Sequence, residues 1–253
     1  MIPYILMALP CYNEAKNIPA LMENFDKLNA IYGLLVETKV LIIDDCSKDE
    51  TPEVVQKLNC RTSFEYVRHE KNGSLRGGII TAFNAFEKNR TSEYPAIAYG
   101  LMDGDNSHMP TNISQMLPLI VEGYDIVVAS RYREGSRIMG VVWWRQVLSA
   151  FLGMMFKCMK NIPGVRDYSC GYRLYSPSIV NKVITRFGPE VVKDTSFACM
   201  VEILVKCHNL GAICTEVPFL LRYDQKLGES KMPFIQTILG NFKILLATRR
   251  VLQ

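Results

Sequence analysis

Residues 96–108 read Ala96-Ile97-Ala98-Tyr99-Gly100-Leu101-Met102-Asp103-Gly104-Asp105-Asn106-Ser107-His108. An uncharged run of strand length ends abruptly in two carboxylates set one residue apart. The same switch recurs along the first half of the chain. Tyr4–Leu9 runs into Pro10-Cys11-Tyr12-Asn13-Glu14, Val40–Ile43 into Asp44-Asp45-Cys46-Ser47, and Ile126–Ala129 into Ser130-Arg131-Tyr132. Phe64–Val67 reads as a further strand. Helical patterns lie between these runs. Lys16–Ala30 carries Ile18, Leu21, Met22, Phe25 and Leu28 at helical spacing. Thr51-Pro52-Glu53 opens a helix to Leu58 as cap and first turn, with Asp45 or Ser47 as alternative caps. Ser74–Lys88 and Asn112–Val121 complete the set. Apolar strands alternating with helices predict an α/β fold whose mainly parallel sheet is covered on both faces. Ligands bind such sheets beyond the carboxyl ends of the strands, so the polar clusters should share one rim.

The second half reads differently. A basic loop after Arg131 leads to a helix at Val141–Met159, then an irregular stretch, helices near Ser178–Thr185 and Ser196–Leu210, and a strand near Ile213–Leu221. Phe234, Ile235, Ile238, Leu239, Phe242, Leu245 and Leu246 make an amphipathic helix of Phe234–Thr248. No repeat or linker divides the chain, so residues 1–253 read as a single domain.

Composition excludes several classes. With 253 residues, 49% hydrophobic and 21% charged, the chain is neither disordered nor fibrous. A net charge of +4 argues against a nucleic-acid binder. Residues 1–221 are neutral overall, and the excess sits in Arg222, Lys226, Lys231, Lys243, Arg249 and Arg250. The eight cysteines include no C-x-x-C pair or zinc spacing and read as packed free thiols of a reducing, cytoplasmic compartment. The N-terminus lacks the basic region of a signal peptide. No uninterrupted apolar run reaches the ~18 residues of a spanning helix, so the chain is expected to be soluble or at most peripheral. The basic amphipathic C-terminal helix either covers the sheet or lies on the cytoplasmic face of an anionic membrane.

Asp103 and Asp105 can aim hard oxygen ligands at one divalent ion, Mg²⁺ or Mn²⁺, that takes its other ligands from substrate phosphates. The competing reading is an Asp-Gly hairpin turn. Asp44 suits a nucleobase N–H, while Tyr12 and Glu14 suit base stacking and a ribose. Asn72-Gly73-Ser74-Leu75-Arg76-Gly77-Gly78 is a glycine-rich helix entry without the G-x-G-x-x-G spacing, which disfavours a dinucleotide oxidoreductase. Its backbone either forms a simple turn or faces a phosphate. Arg131, Arg133, Arg137, Arg145, Arg166 and Arg173 interleave with aromatic residues and suit phosphate recognition.

Together these residues resemble family 2 glycosyltransferases of the GT-A (Rossmann-like) fold, and within that family the dolichyl- or polyprenyl-phosphate mannosyltransferases. The matching stretches are 8–14, 43–51, 102–110, 129–132, 167–175 and 228–231, in family order. The resemblance implies that Pro10, Tyr12, Glu14, Asp44 and Gly104 hold the nucleotide sugar, and that Asp103 and Asp105 hold the metal. Ser107 stands where the family often has a third, glutamine ligand. Arg131 and Arg145 would bind phosphates, with Ser149 at family spacing after Arg145. Asp167 and Arg173 belong to the acceptor-side motif, written here Tyr168-Ser169-Cys170-Gly171-Tyr172-Arg173. Ser230 and Lys231 would lie near the sugar donor's diphosphate or the lipid phosphate. Residues 1–131 become the nucleotide-sugar half and 132–253 the acceptor part.

The implied reaction is an inverting, metal-dependent hexosyl transfer from GDP-mannose or a UDP-hexose to a polyprenyl or dolichyl monophosphate, with Asp105, Arg131 and Asp167 as its catalytic residues. An anionic phosphate acceptor needs cations and no base, and the arginines favour it. A saccharide or other hydroxyl acceptor would need a base, for which Asp167 is the candidate. A catalytically silent nucleotide-sugar-binding subunit is the third reading. The sequence leaves the oligomeric state open.

Overall fold

A computed structural model describes residues 2–144, 146, 153–154, 157 and 160–228 of the chain. Its main sheet has seven strands. They are β1 (Tyr4–Cys11), β2 (Glu37–Asp44), β3 (Phe64–Arg68), β4 (Ala98–Leu101), β5 (Ile126–Ser130), β7 (Arg173–Tyr175) and β8 (Cys214–Pro218), in the order β3-β2-β1-β4-β7-β5-β8. All pairings are parallel except those of β7, which runs antiparallel between β4 and β5. A second, two-stranded sheet joins β6 (Arg137–Met139) to β9 (Leu220–Arg222). The helices are α1 (Ile18–Tyr32), α2 (Thr51–Gln56), α3 (Ser74–Arg90), α4 (Ile113–Val121), α5 (Pro177–Phe187) and α6 (Cys199–Asn209).

Burial explains the apolar runs. Every residue of β4, β5 and β7 is buried, as are most of β1 and β2. The face of α1 that enters the core is the one the spacing predicts, with Ile18, Leu21, Met22, Phe25 and Leu28 all buried. Helix α3 packs on β1, β2 and α5, while α1 packs on β2 and α2, and α4 on β5 and β7.

Three elements differ from the sequence expectation. First, β1 continues through Pro10. The backbone of Ala8 accepts from Met102 on the β4 side, and that of Cys11 accepts from Asp45 on the β2 side. By alternation Pro10 faces the β4 side, past the last β1–β4 pair at Ala8 and Leu101, where no N–H is needed. Second, the expected irregular stretch contains β7, three residues too short to show a period. Third, the expected strand 213–221 is divided. Pro218 closes the β8 ladder opposite Ser130, and the chain then pairs with β6, which the sequence presented as loop.

The described residues within 143–157 are helical, as expected for Val141–Met159. The amphipathic helix expected at Phe234–Thr248 lies outside the described residues. Among the described residues, no helix is long and apolar enough to cross a membrane. The seven described cysteines are free thiols, five of them buried.

Candidate active site

The strand register brings the polar clusters to one rim. Cys11 is level with Asp44, and Asp44 with Arg68, while β4 ends beside β1 at Leu101. Four non-glycine residues among those described have positive φ: Asn13, Cys46, Ser74 and Asn106. All four lie in the loops of this rim, after β1, β2 and β4 and at the start of α3. Left-handed backbone at such residues is uncommon and gathers where a site demands a particular loop shape.

Side chains lock these loops together. Asn13 N–H donates to Ser47 Oγ at 2.8 Å, Lys48 N–H to Asn13 Oδ1 at 2.7 Å, and Glu14 N–H to Thr51 Oγ1 at 2.9 Å. Asp49 Oδ1 accepts from Thr51 N–H, so the brace at the α2 entry is Asp49 and not Asp45 or Ser47. Asp44 is fully enclosed. It accepts from Ser47 N–H and from Tyr66 Oη at 2.7 Å, with Arg68 Nε at 3.5 Å. Burial and the Asp44 carboxylate push the Tyr66 phenol well above its usual range. Asp44 thus braces the rim from within, through Ser47 and Tyr66. Asp45 accepts from Gly73 N–H at 2.8 Å and faces His69 Nδ1 at 2.8 Å, whose Nε2 lies 2.8 Å from Thr81 Oγ1. With its Gly73 amide committed to Asp45, the glycine-rich entry is a braced turn. Tyr12 is half-buried at the same rim, and the Glu14 carboxylate accepts from Asn17 Nδ2 at 2.6 Å.

The 103–105 loop rests on the end of β1. A Cβ on Gly104 would stand 3.0 Å from Cys11 Cβ, so only glycine allows this approach without displacement. A Cβ on Gly171 would stand 3.0 Å from Asp103 Oδ1, which keeps that side of the carboxylate clear. Asp103 is partly exposed, accepts no hydrogen bond from a described residue, and has His108 Nε2 at 3.8 Å. Burial raises its pKa, opposed by the nearby His108. Asp105 is buried. Its Oδ1 accepts from Ser107 N–H at 3.1 Å and Oγ at 2.5 Å, and its Oδ2 from Lys226 Nζ at 2.7 Å. Burial works against its charge, but Lys226 prevails and lowers its pKa. Ser107, at the position of the family's third ligand, thus directs its hydroxyl to Asp105.

Among the described residues no group of three or more His, Cys, Asp or Glu is arranged to hold a metal. Two carboxylates, one of them without a hydrogen-bond donor, still fit Mg²⁺ or Mn²⁺. Such ions are commonly held by one or two carboxylates, substrate phosphates and water.

Across the rim, Arg131 follows β5. Its Nε and Nη2 donate to the two oxygens of Asp167 at 2.8 and 2.7 Å, its backbone N–H donates to Oδ2 at 3.0 Å, and Nη2 also reaches Ser169 Oγ at 2.8 Å. Asp167 is fully buried and accepts from Cys170 N–H as well. Burial alone would raise its pKa, but the Arg131 guanidinium holds it below the usual carboxylate range. A carboxylate so occupied is a poor proton acceptor. In this arrangement Asp167 holds the Arg131 side chain and backbone in place. Glu216 on β8 fastens the same loop by accepting from the Arg166 and Asp167 N–H groups, both at 2.6 Å.

Arg173 begins β7 level with Leu101 at the end of β4, but its side chain is turned inward. It lies on β7 with no exposed surface, donating to the carbonyls of Met200 at 2.6 Å and Tyr168 at 2.7 Å. Two of its guanidinium nitrogens are thus committed to backbone carbonyls, as in a structural role. Arg173→Met should lower stability by about 3 kcal/mol, because it leaves buried carbonyls unpaired. Affinity for a nucleotide sugar should stay within twofold below the melting temperature, and a selective loss of acceptor binding would overturn this assignment. Arg145, Ser149, Ser230 and Lys231 lie outside the described residues. The sequence reading missed Lys226, Asn17 and Glu216. The basic excess near the C-terminus was the one signal pointing towards Lys226.

Residues 7–184 match the model of the family described as glycosyl transferase family 2. The polyprenol monophosphomannose synthase of Mycolicibacterium smegmatis is 25% identical over 90% of this chain and 80% of its own length. The dolichol-phosphate mannosyltransferase of Pyrococcus furiosus is 27% identical over 90% of this chain, which spans 59% of that relative. Among solved structures, glucosyl-3-phosphoglycerate synthase from Mycobacterium tuberculosis superposes with a TM-score of 0.62 at 17% identity, covering 98% of this chain and 80% of its own. Mannosyl-3-phosphoglycerate synthase from Rubrobacter xylanophilus gives 0.60 at 15%, covering 98% and 74%. At such identities the likeness concerns the fold, which is that of the GT-A glycosyltransferases. The chain belongs to glycosyl transferase family 2 and is a glycosyltransferase.

Proposed function

We propose that this glycosyltransferase moves a hexose from a nucleotide sugar to a polyprenyl monophosphate, with inversion at the anomeric carbon. The observation that carries the choice of acceptor is the bidentate ion pair of Arg131 with Asp167. It commits the candidate base for a hydroxyl acceptor to an ion pair and holds Arg131 beside the rim, which favours an acceptor that needs no base. A phosphate monoester is already an anion, so its oxygen attacks the anomeric carbon without a base, and the nucleoside diphosphate leaves with the bonding electrons of the broken C–O bond. The names of the mannosyltransferase relatives support the same reading.

Residues 1–131 hold the sugar donor in this reading, with Pro10, Tyr12 and Glu14 on the nucleoside side. Asp103 and Asp105 would hold Mg²⁺ or Mn²⁺, which supplies charge neutralisation to the departing diphosphate. Residues 132–253 present the acceptor, with Arg131 and Arg145 towards its phosphate. Met139, Val142, Trp143 and Met154 are exposed, and Trp143 is 75% accessible. Exposed apolar and Trp side chains suit a membrane face, where a polyprenyl chain would be held.

The test is incubation with Mn²⁺ or Mg²⁺, polyprenyl monophosphate and a set of labelled GDP- and UDP-sugars. Label should enter the organic extract from one sugar donor. Consumption of that donor with an unlabelled lipid would shift the acceptor to a water-soluble hydroxyl compound.

A further inference from the structure

Lys226 belongs to none of the strand-end clusters, yet its ammonium sits in the centre of the site. Two clamps bring it there. On one side, Arg222 N–H at the end of β9 donates to the Ser107 carbonyl at 2.9 Å, tying the segment to the loop that carries Asp105. On the other, the Asn17 side chain makes both bonds to the Leu227 backbone. Leu227 N–H donates to Oδ1 at 2.8 Å, and Nδ2 donates to the Leu227 carbonyl at 3.0 Å. Asn17 Nδ2 also reaches Glu14. Lys226 is thus held between the β4 loop and the start of α1, with its side chain only 10% exposed.

The charge balance at Asp103 and Asp105 is informative. Asp105 accepts three hydrogen bonds, two from Ser107 on Oδ1 and one from Lys226 on Oδ2. A divalent ion on Oδ2 would stand close to the Lys226 ammonium, 2.7 Å from the same oxygen, and the two like charges would repel. The Lys226 ammonium faces the carboxylates of Asp103 and Asp105, with the buried Glu14 carboxylate close by through Asn17. Placed there alone, a divalent cation is opposed by the ammonium, whose side chain is only 10% exposed and so weakly screened. A diphosphate brings negative charge to both cations and offers Lys226 new oxygens.

We infer that Lys226 is an exchangeable counter-ion: it occupies Asp105 until a divalent cation takes that carboxylate, and then transfers its ammonium to the diphosphate of the incoming sugar donor. The inference rests on Asp105 being a metal ligand. Its consequence is that metal ion and nucleotide bind with positive coupling, because the lysine that opposes the ion alone assists the ion–diphosphate pair. The Asn17 clamp keeps the backbone in place while the side chain changes partner.

The experiment is titration of Mn²⁺, followed by the free-ion paramagnetic resonance signal, into the whole chain and into Lys226→Met, without nucleotide and with GDP or UDP. Without nucleotide, Lys226→Met should bind Mn²⁺ roughly tenfold or more tightly than wild type, since a charge-assisted hydrogen bond no longer competes. With a nucleoside diphosphate, the same variant should bind the Mn²⁺–diphosphate roughly tenfold more weakly. This reversal of sign is not expected of a lysine with only a structural role. Lys226→Gln keeps a hydrogen bond to Asp105 without the charge and should fall between the two; it carries the comparison if the Met variant does not fold. Equal Mn²⁺ affinity in wild type and variants, or changes of the same sign with and without nucleotide, would overturn the exchange while leaving Asp105 as a ligand. Mn²⁺ binding that persists unchanged in Asp105→Asn, or is absent from every form, would overturn the metal assignment and the exchange with it.

Discussion

Asp105→Asn should lower kcat by about a thousandfold or more, the scale expected when several kcal/mol of charge stabilisation is lost from a leaving diphosphate. The variant should remain folded. Asparagine keeps an oxygen for the Ser107 N–H and hydroxyl, the two bonds that shape the loop. It loses the charge that faces Lys226 at 2.7 Å. Leaving the Lys226 ammonium, 10% exposed, without its counter-charge should cost about 3 kcal/mol, so the melting temperature should fall by several degrees without loss of the fold. The check is kcat measured with saturating Mn²⁺ and sugar donor, beside a thermal melt. A folded variant with near-normal kcat would remove Asp105 from the transfer chemistry.

The largest effect on stability is expected at Asp167. Replacement by Ala leaves the Arg131 guanidinium, only 19% exposed, without its counter-charge. Breaking one side of a buried ion pair typically costs about 3–5 kcal/mol, far more than the loss of a surface pair. Arg131 would then swing away from the rim, so acceptor affinity should fall together with stability. The milder Asp167→Asn separates positioning from base catalysis. As a positioning residue, Asp167 can be exchanged with a raised acceptor KM and an unaltered shape of the pH–kcat profile. If Asp167 were the base, kcat alone would collapse and the acid limb of that profile would vanish.

The same pair makes a prediction about acid. Asp167 has a folded-state pKa below its usual value, so its stabilisation is fully present above the unfolded pKa of about 3.9 and is lost as pH falls through the folded value. Denaturation at pH 7 should show wild type well above Asp167→Asn. The gap should close as the pH is taken below about 4. A gap of constant size down to acid would mean that the stabilisation of Asp167 is not electrostatic.

Most of the element order was legible because it is written in short-range patterns. The spacing of Ile18, Leu21, Met22, Phe25 and Leu28 is that of a buried helix face, and it remains so in any α/β arrangement. Four strand ends with acids or an arginine are local features too, and a parallel sheet brings like ends to one rim. Strand β7 was not legible, because three residues cannot display a period. The division of 213–221 depends on which strand Pro218 meets, and pairing partners lie far apart in sequence.

For the site, the sequence by itself determined the chemical inventory: the Asp103-Gly104-Asp105 pair, Arg131, the family and the rim they share. Only the tertiary structure decided which of these charges face outward. Asp44, Asp167 and Arg173 look as available in sequence as Asp103, yet folding turns each of them onto an internal partner. Lys226 reaches Asp105 across 121 positions of sequence, and Asn17 reaches Leu227 across 210. The reason is physical. Residue type sets what a side chain can bond, and local spacing sets its element and face. A buried charge must still find an opposite charge or a hydrogen bond wherever the packed chain supplies one, and that choice is made over distances no local pattern spans.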